Sequence, residues 1–403
     1  MTTQNNIPAG YKDSAVGIIP QEWEVMQIRD LGRVITGNTP PTADSSNYGN
    51  EYMFVSPADL LDDQKYILRT EKMLSAKGYT QARKIPQGSV LYTCIGSTIG
   101  KIGIASDELA SNQQINAVIC NDCGEFLYYA LLHRTNRIKL LAGEQAVPII
   151  NKSDFEKIKL PVPPMVEQKK IAEILGVWDE AIEKQSRLVE RLELRKRGLM
   201  QRLLTGRTRL PGFTTPWQKV KLGEICKERN ETKCEHLPLL SITAERGVIL
   251  QSESDKKDTS NEDKSKYKRI CPNDIGYNTM RMWQGRSALS AMEGIVSPAY
   301  TIVTPKAEVD PLFISELIKQ PRVVYDFWTH SQGLVGDTLN CKFHDFSQVK
   351  VAIPSLPEQK AIAEVLTAAD NEIATHRKRL DALRLQKRGH MQQLLTGKTR
   401  VKI

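Results

Sequence analysis

Apolar residues recur at heptad spacing along two stretches of the chain, 171–203 and 362–394. In the first, Leu175, Ile182, Val189, Lys196 and Leu203 take position a, and Ile171, Trp178, Gln185, Leu192 and Leu199 take position d. In the second, Leu366, Ile373, Leu380, Lys387 and Leu394 take a, and Ile362, Ala369, His376, Leu383 and His390 take d. Such seams predict long helices that pair with one another. Leu175, Ile182, Val189, Leu192, Leu366, Ile373, Leu380 and Leu383 are the expected pairing residues. Both seams turn polar at the same heptads, Gln185 with His376 and Lys196 with Lys387. Polar seam residues cost stability but select register and partner. The alternative is that each helix packs only on its own globular segment.

Terminal signals bound the helices to 164–206 and 356–397. Pro163, Pro164 and Pro357 suit a first turn, where a missing N–H costs nothing. Glu167 and Glu358 favour the positive dipole end, while Gly206 and Gly397 suit the residue just past a helix. Gly198 and Gly389 weaken helix propensity without breaking the period. A stretch such as 171–203 would span roughly 48 Å, or about 14 base-pair steps of duplex DNA.

The two helices are copies. Residues 155–210 align on 346–401 without a gap at a constant offset of 191, with about 25 of the 56 positions identical. A period this long describes a repeated domain-plus-helix unit rather than a short-repeat solenoid. The segments between the copies share a skeleton: each opens on Trp (WEVMQI from Trp23, WQKVKL from Trp217) and ends in a strand-like run feeding the helix, FEKIKLPVPP and FSQVKVAIPS. Elsewhere they diverge, as scaffolds with different binding loops do. The expected fold class is α+β: two globular α/β domains separated by two long helices that form an antiparallel coiled coil, with a pseudo-twofold internal repeat. The expected domains are 1–154, 155–210, 211–345 and 346–403.

Net charge is +9, which suits a polyanionic partner. It is unevenly placed: residues 187–209 hold eight Lys/Arg against Glu190 and Glu193, and 377–402 hold nine against Asp381. The two helix ends thus exceed the whole net charge. No apolar run approaches the roughly 20 residues of a membrane span, and the N-terminus lacks a signal-peptide layout. Seven irregularly spaced cysteines fit a reduced, cytoplasmic compartment.

Motifs for chemistry are missing where they would be needed. LLTGKT (394–399) lacks the upstream glycine of a phosphate loop, since position 392 is Gln; GSTIGKIG (96–103) is one residue short. Cys120 and Cys123 form a single C-x-x-C, with His133 as the nearest extra ligand and no second pair at zinc spacing. No hydrolase or metalloprotease signature occurs, and no [DN]-P-P-[YF] string of an adenine methylase. The chain reads as non-catalytic, with no cofactor and no metal. What remains are polar, basic and aromatic clusters suited to base edges and phosphates: Ser97, Thr98, Lys101, Asn112, Gln113 and Gln114 in the first segment, and Arg281, Trp283, Gln284, Arg286, Lys342 and His344 in the second. A fused methylase–nuclease or a stand-alone endonuclease with unusual motifs, and a coiled-coil linker whose heads bind proteins, are the rival readings.

With W-x-x-x-x-[IL] opening each half, P-x-x-E-Q-x-x-I-A-E helix starts (Ser355 replacing Pro in the second) and K-R-G-x-M-Q-x-L-L-T-G helix ends, all in duplicate, the chain resembles the specificity subunit of type I restriction–modification systems over nearly its whole length. The resemblance implies two target recognition domains, each reading half of a split DNA sequence, and helices that set the unread spacer. It implies as partners double-stranded DNA, two methyltransferase subunits and translocase–endonuclease subunits. S-adenosylmethionine and ATP would belong to those partners. Ile174 and Val365 at g, with Leu194 and Leu385 at f, would be duplicated docking stripes for the methyltransferase.

Overall fold

The computed structural model describes residues 7–143, 146–243, 246–254, 260–333 and 339–402. The chain divides into two compact units: Met1–Leu188 with His376–Ile403, and Val189–Thr375.

The first unit starts from β1 (Glu24–Gln27), a single turn α1 (Ile28–Leu31) and β2 (Gly32–Thr36). Further strands are β3 (Tyr66–Ile67), β4 (Val90–Thr93), β5 (Ile102–Ala105) and β6 (Ile115–Cys120). They form one sheet of order β2-β6-β4-β5-β3, antiparallel except for the β5–β3 pair. Strands β4 and β5 are buried throughout, and such runs are apolar instead of alternating. Helix α2 (Gly124–Lys139) covers the sheet with Phe126, Leu127, Tyr129 and Leu131. A turn of helix α3 (Lys152–Glu156) leads to β7 (Lys159–Val162), which pairs with β1 in the register Lys159↔Gln27. From β7 the chain enters α4 (Met165–Leu203).

The second unit repeats this plan. Strand β8 (Gln218–Lys221), α5 (Leu222–Ile225) and β9 (Cys226–Arg229) correspond to β1, α1 and β2. Strands β10 (Ile275–Asn278), β11 (Ser287–Leu289) and β12 (Tyr300–Pro305) complete a sheet of order β9-β12-β10-β11. Helices α6 (Pro311–Leu317) and α7 (Pro321–His330) stand where the first unit has α2. Then α8 (Phe343–Gln348) and β13 (Lys350–Ile353), paired with β8, lead into α9 (Leu356–Leu394). Strand order and connectivity match those of the first four strands of the first sheet, which adds the parallel edge strand β3, although the strand sequences do not match.

The expected helices are both present, each about three residues shorter at its C-terminal end. In the first unit, residues 165–188 of α4 pack antiparallel to residues 376–394 of α9. In the second, residues 189–203 of α4 pack antiparallel to residues 356–375 of α9. The seam is buried as expected at Leu175, Ile182, Val189, Leu192, Leu366, Ile373 and Leu380, while Leu383 is half-buried.

The polar seam positions explain themselves in pairs. Lys387 bonds Asp179 within the first unit, and Lys196 reaches both oxygens of Asp370 at 2.7 Å within the second. These two contacts are related by the 191-residue offset. Gln185 and His376, each the repeat counterpart of the other, bond directly: Gln185 Nε2 lies 3.0 Å from His376 Nδ1 and donates to the His376 carbonyl at 2.9 Å.

Each helix start is latched to the end of the other helix in the same unit. Buried Glu167 accepts from Trp23 Nε1 at 3.0 Å and from Arg400 Nε at 2.8 Å. Buried Glu358 accepts from Arg209 Nε at 2.5 Å and Nη2 at 2.6 Å. The neighbouring glutamines close the exposed carbonyls ahead of each helix, Gln168 on Pro163 and Gln359 on Pro354, both at 2.9 Å. The duplicated E-Q and T-G-x-T-R strings are therefore two halves of one joint. Bonding to the carboxylates pushes both Arg209 and Arg400 above the ordinary guanidinium value.

Candidate nucleic-acid interface

In the first head, the C-terminal ends of β2 and β4 and the N-terminal ends of β5 and β6 lie at one end of the sheet. The residues proposed from sequence fall on the connections there. Ser97, Thr98 and Lys101 sit on the β4–β5 turn; Asn112, Gln113 and Gln114 sit on the segment entering β6. The two connections touch: Cys94 N donates to the Gln114 carbonyl at 2.8 Å. Asn112 Nδ2 donates to Gln114 Oε1 at 3.1 Å, and Thr39 Oγ1 to Gln113 Oε1 at 2.7 Å. Ser97 and Gln113 are exposed, the others half-buried. All six are thus brought to one surface.

The glycines that resemble a phosphate loop serve this turn. Gly100 has φ +97°, and a Cβ there would lie 2.4 Å from Thr135 Cγ2 and 2.8 Å from Lys139 Cε. Glycine is required for both backbone and space.

The second head gathers its candidates at the corresponding place. Arg281, Trp283, Gln284 and Arg286 all lie on the β10–β11 connection, around the short helical turn Met282–Gln284. Buried Met282 anchors the turn, Trp283 Nε1 donates to the Met280 carbonyl at 3.1 Å, and Gln284 and Arg286 face solvent. Cys341 N donates to the Thr279 carbonyl at 2.9 Å, which sets exposed Lys342 and His344 beside that turn. In the first head Ile150 N donates to the Cys94 carbonyl at 2.8 Å, the same bond one repeat earlier.

Sequence reasoning missed two side chains here. Tyr325 and Trp328 on α7 are 57% and 48% exposed, with rings 5.5 Å apart, and α7 packs on the Met282–Gln284 turn through Val324, 3.1 Å from a Cβ placed at Gly285. They are about 40 residues from the turn in sequence, and only their i, i+3 spacing hints at a shared face.

The docking stripes divide. Leu194 and Leu385 are 58% and 64% exposed, as a docking residue must be. Ile174 and Val365 are instead half-buried against the cores of their own units, which leaves less of each side chain open to a partner. At this heptad position g faces the head, whereas Leu188, Arg195, Glu372 and Arg379, also at g, are exposed.

Burial pushes the thiols of Cys94, Cys120, Cys226 and Cys341 up to about 12, and Cys123 Sγ caps α2 by accepting from Phe126 N at 3.4 Å. Among the described residues, no three His, Cys, Asp or Glu side chains gather as a metal site, and no helix is long and apolar enough to cross a membrane.

Two segments, 20–193 and 215–385, match the model of the type I restriction modification DNA specificity domain. The chain belongs to this family. The specificity subunit of the MjaVIII type I restriction enzyme of Methanocaldococcus jannaschii is 26% identical over 95% of this chain and 94% of its own length. The MjaIX specificity subunit of the same organism is 31% identical over 46% of this chain, a match spanning about half (45%) of that relative. Among solved structures, the type I restriction–modification S subunit of M. genitalium has a TM-score of 0.58 at 15% identity, covering 98% of each chain. A chain from a structure describing assembly and conformational transition of a type I system has the same TM-score at 16% identity, covering 94% of this chain and 99% of its own. These likenesses establish a family of type I specificity subunits, in which duplicated heads and paired long helices are the shared architecture.

Proposed function

We propose that this chain is the non-catalytic DNA-reading subunit of a type I complex, with its first head reading one half of a bipartite target and its second head the other. The observation that carries this is two sheets of one topology presenting different chemistry on the same connection: Ser97, Thr98 and Lys101 on one, Arg281, Trp283, Gln284 and Arg286 on the other. Arginine bonds guanine O6 and N7 bidentately, and Asn or Gln pairs with adenine N6 and N7. Two unlike surfaces suit an asymmetric sequence.

The paired helices set the unread spacer and dock two methyltransferase subunits, with translocase–endonuclease subunits joining the assembly in the cytoplasm. S-adenosylmethionine and ATP are bound by those partners. The names of the relatives, and the solved complex among the structural neighbours, support this reading. A 39-residue helix such as α4 is about 58 Å long, enough to separate two half-sites by more than a turn of DNA.

The test is a head exchange. Residues 1–154 are replaced by those of a relative with a different target, and methylated adenines are mapped genome-wide in cells carrying the full system. One half-site changes while the other half-site and the spacer persist. A change in both, or in neither, refutes one head per half-site.

A further inference from the structure

The first head carries a cationic groove that its reading residues do not use. It has a volume of about 570 Å³ and runs between the last turns of α2 and the segment joining α3 to β7. Arg134 and Arg137 line one wall, Lys157 and Lys159 the other, over an apolar floor that includes Ile138 and Ile158. One carboxylate, Asp154, lines it too, and its Oδ2 already accepts from Asn151 Nδ2 at 2.6 Å.

Among the described residues, none of these four cations has a carboxylate or hydrogen-bond partner. Arginines elsewhere in the chain do: Arg209, Arg229, Arg269, Arg384 and Arg400 each hold at least one acidic side chain. Arg134 is half-buried, and burial followed by the nearby Arg137 works against its charge; both arginines and burial likewise hold His133 below its ordinary value. A helix C-terminus favours cations by about 0.3–1 kcal/mol, which accounts for basic residues on α2. It does not account for Lys157 and Lys159 converging from another segment. The folded head holds four cations around a single carboxylate that none of them engages, an excess of positive charge that an anionic ligand relieves.

Position identifies that ligand. The same end of α2 abuts the reading turn, with Thr135 and Lys139 against Gly100. From Arg134 to Lys139 is about 7.5 Å along the helix axis. Resting on the reading that the heads bind DNA, we propose that Arg134, Arg137, Lys157 and Lys159 form a phosphate clamp that grips the duplex backbone beside the first half-site. Guanidinium forks match phosphate oxygens bidentately, and contacts to phosphates supply affinity and register without specificity. Among the described residues, the second head repeats only part of this set: Lys350 stands at the repeat position of Lys159. Gln348 stands at the repeat position of Lys157 and accepts from Lys221 at 2.9 Å, while Arg322 on α7 lies 3.9 Å from Asp326. The two heads therefore divide the work unequally, the first contributing more of the salt-dependent affinity.

The experiment uses the full chain assembled with its methyltransferase subunits. Dissociation constants for a duplex carrying the target are measured across a salt series for wild type, R134A/R137A and R134K/R137K. Loss of two phosphate contacts lowers the slope of log K against log salt by about 1.8. Affinity of R134A/R137A falls 10- to 100-fold at moderate salt, its methylated sequence is unchanged and its melting temperature is no lower than wild type. The lysine pair keeps most of the slope. An unchanged slope and affinity overturns the clamp, as does a changed target sequence, which would mean base reading. Lost methyltransferase assembly with an unaltered DNA slope also overturns it and assigns the groove to an acidic protein surface. If the wild-type complex binds all duplexes alike, the bipartite reading fails, and the slope comparison on any duplex still decides the clamp.

Discussion

The chain contains its own control for what a head does to a seam ion pair. Asp179–Lys387 and Asp370–Lys196 are the same contact at positions offset by 191, yet their surroundings differ. In the first unit the side chains are 19% and 12% exposed, the Tyr129 hydroxyl donates to Asp179, and Lys387 sits 5.4 Å from the Tyr129 ring. In the second, Asp370 is 54% exposed and Lys196 19%. An exposed pair is worth about 0.2–1 kcal/mol, so Asp370→Ala should cost little. Asp179→Ala removes a charge-assisted bond and strands a tyrosine hydroxyl and an ammonium out of water, for about 2–4 kcal/mol. For units of this size that predicts a fall in melting temperature of about 6–12 °C, against about 0–4 °C for Asp370→Ala, measured by calorimetry on the full chain. Equal shifts for the two substitutions would refute the claim that the Tyr129 cover, and not the ion pair itself, sets the energy. The pH dependence gives a second handle. Burial first, and Asp179 next, raise the Tyr129 hydroxyl above its ordinary value. A group raised in the folded state contributes stability that is complete below its unfolded value, near 10, and is lost as pH rises through the folded value. Stability of the first unit should fall above about pH 10, and over a narrower window in Asp179→Ala than in wild type.

Other outcomes follow from the same geometry. Gly100→Ala forces a side chain onto φ +97° and into Thr135, which should lower stability by about 1–3 kcal/mol and impair methylation through the first half-site, as read by melting and by site mapping. Gln284→Ala and Arg286→Ala should each relax discrimination at a base pair of the second half-site by about 1–3 kcal/mol with the first half-site untouched, measured by binding to a panel of single-substitution duplexes. Tyr325→Ala with Trp328→Ala should weaken DNA binding about tenfold, the loss expected if one ring stacks on a base, while circular dichroism stays unchanged because both rings face solvent. Leu194→Glu with Leu385→Glu should weaken capture of the methyltransferase subunit from a co-expressed complex and leave the chain folded; undiminished capture would remove those leucines from the interface.

How legible each feature was depends on the range over which its cause acts. The long helices were readable because heptad spacing, first-turn proline and acid, and terminal glycine are local signals that burial then confirms at Leu175, Ile182, Leu366 and Ile373. The two connections that carry the candidate residues stand out in the sequence because each concentrates its polar and basic chemistry within a few residues. The half-burial of Ile174 and Val365 is not legible in the sequence because a heptad wheel knows one partner surface, whereas this end of each helix also packs against a head. Tyr325, Trp328, Arg134 and Arg137 were invisible for a related reason. Their meaning comes from sheet connections that bring the ends of α7 and α2 beside turns roughly 40 residues away, and no periodicity encodes that.

What the repeat duplicates and what it leaves single are physically different kinds of contact. The Glu–Arg latches, the Asp–Lys pairs and the Gln bonds to Pro163 and Pro354 occur twice. Each joins a helix to another helix or to its own entry strand, so a change in one copy must be matched by its partner across the seam. Gln185 with His376 is the exception, because a residue bonded to its own counterpart has no second copy to match. There the two copies differ in residue type and still satisfy each other. Among the described residues, the turn chemistry and the cationic groove are not repeated, and each lies within a head, where no partner residue in the other copy constrains it. The joints are thus held fixed by reciprocal bonding while the heads are free to change their surfaces one at a time. In the proposed reading of one head per half-site, that freedom allows one half of a split target to be rewritten without disturbing the other half or the distance between them.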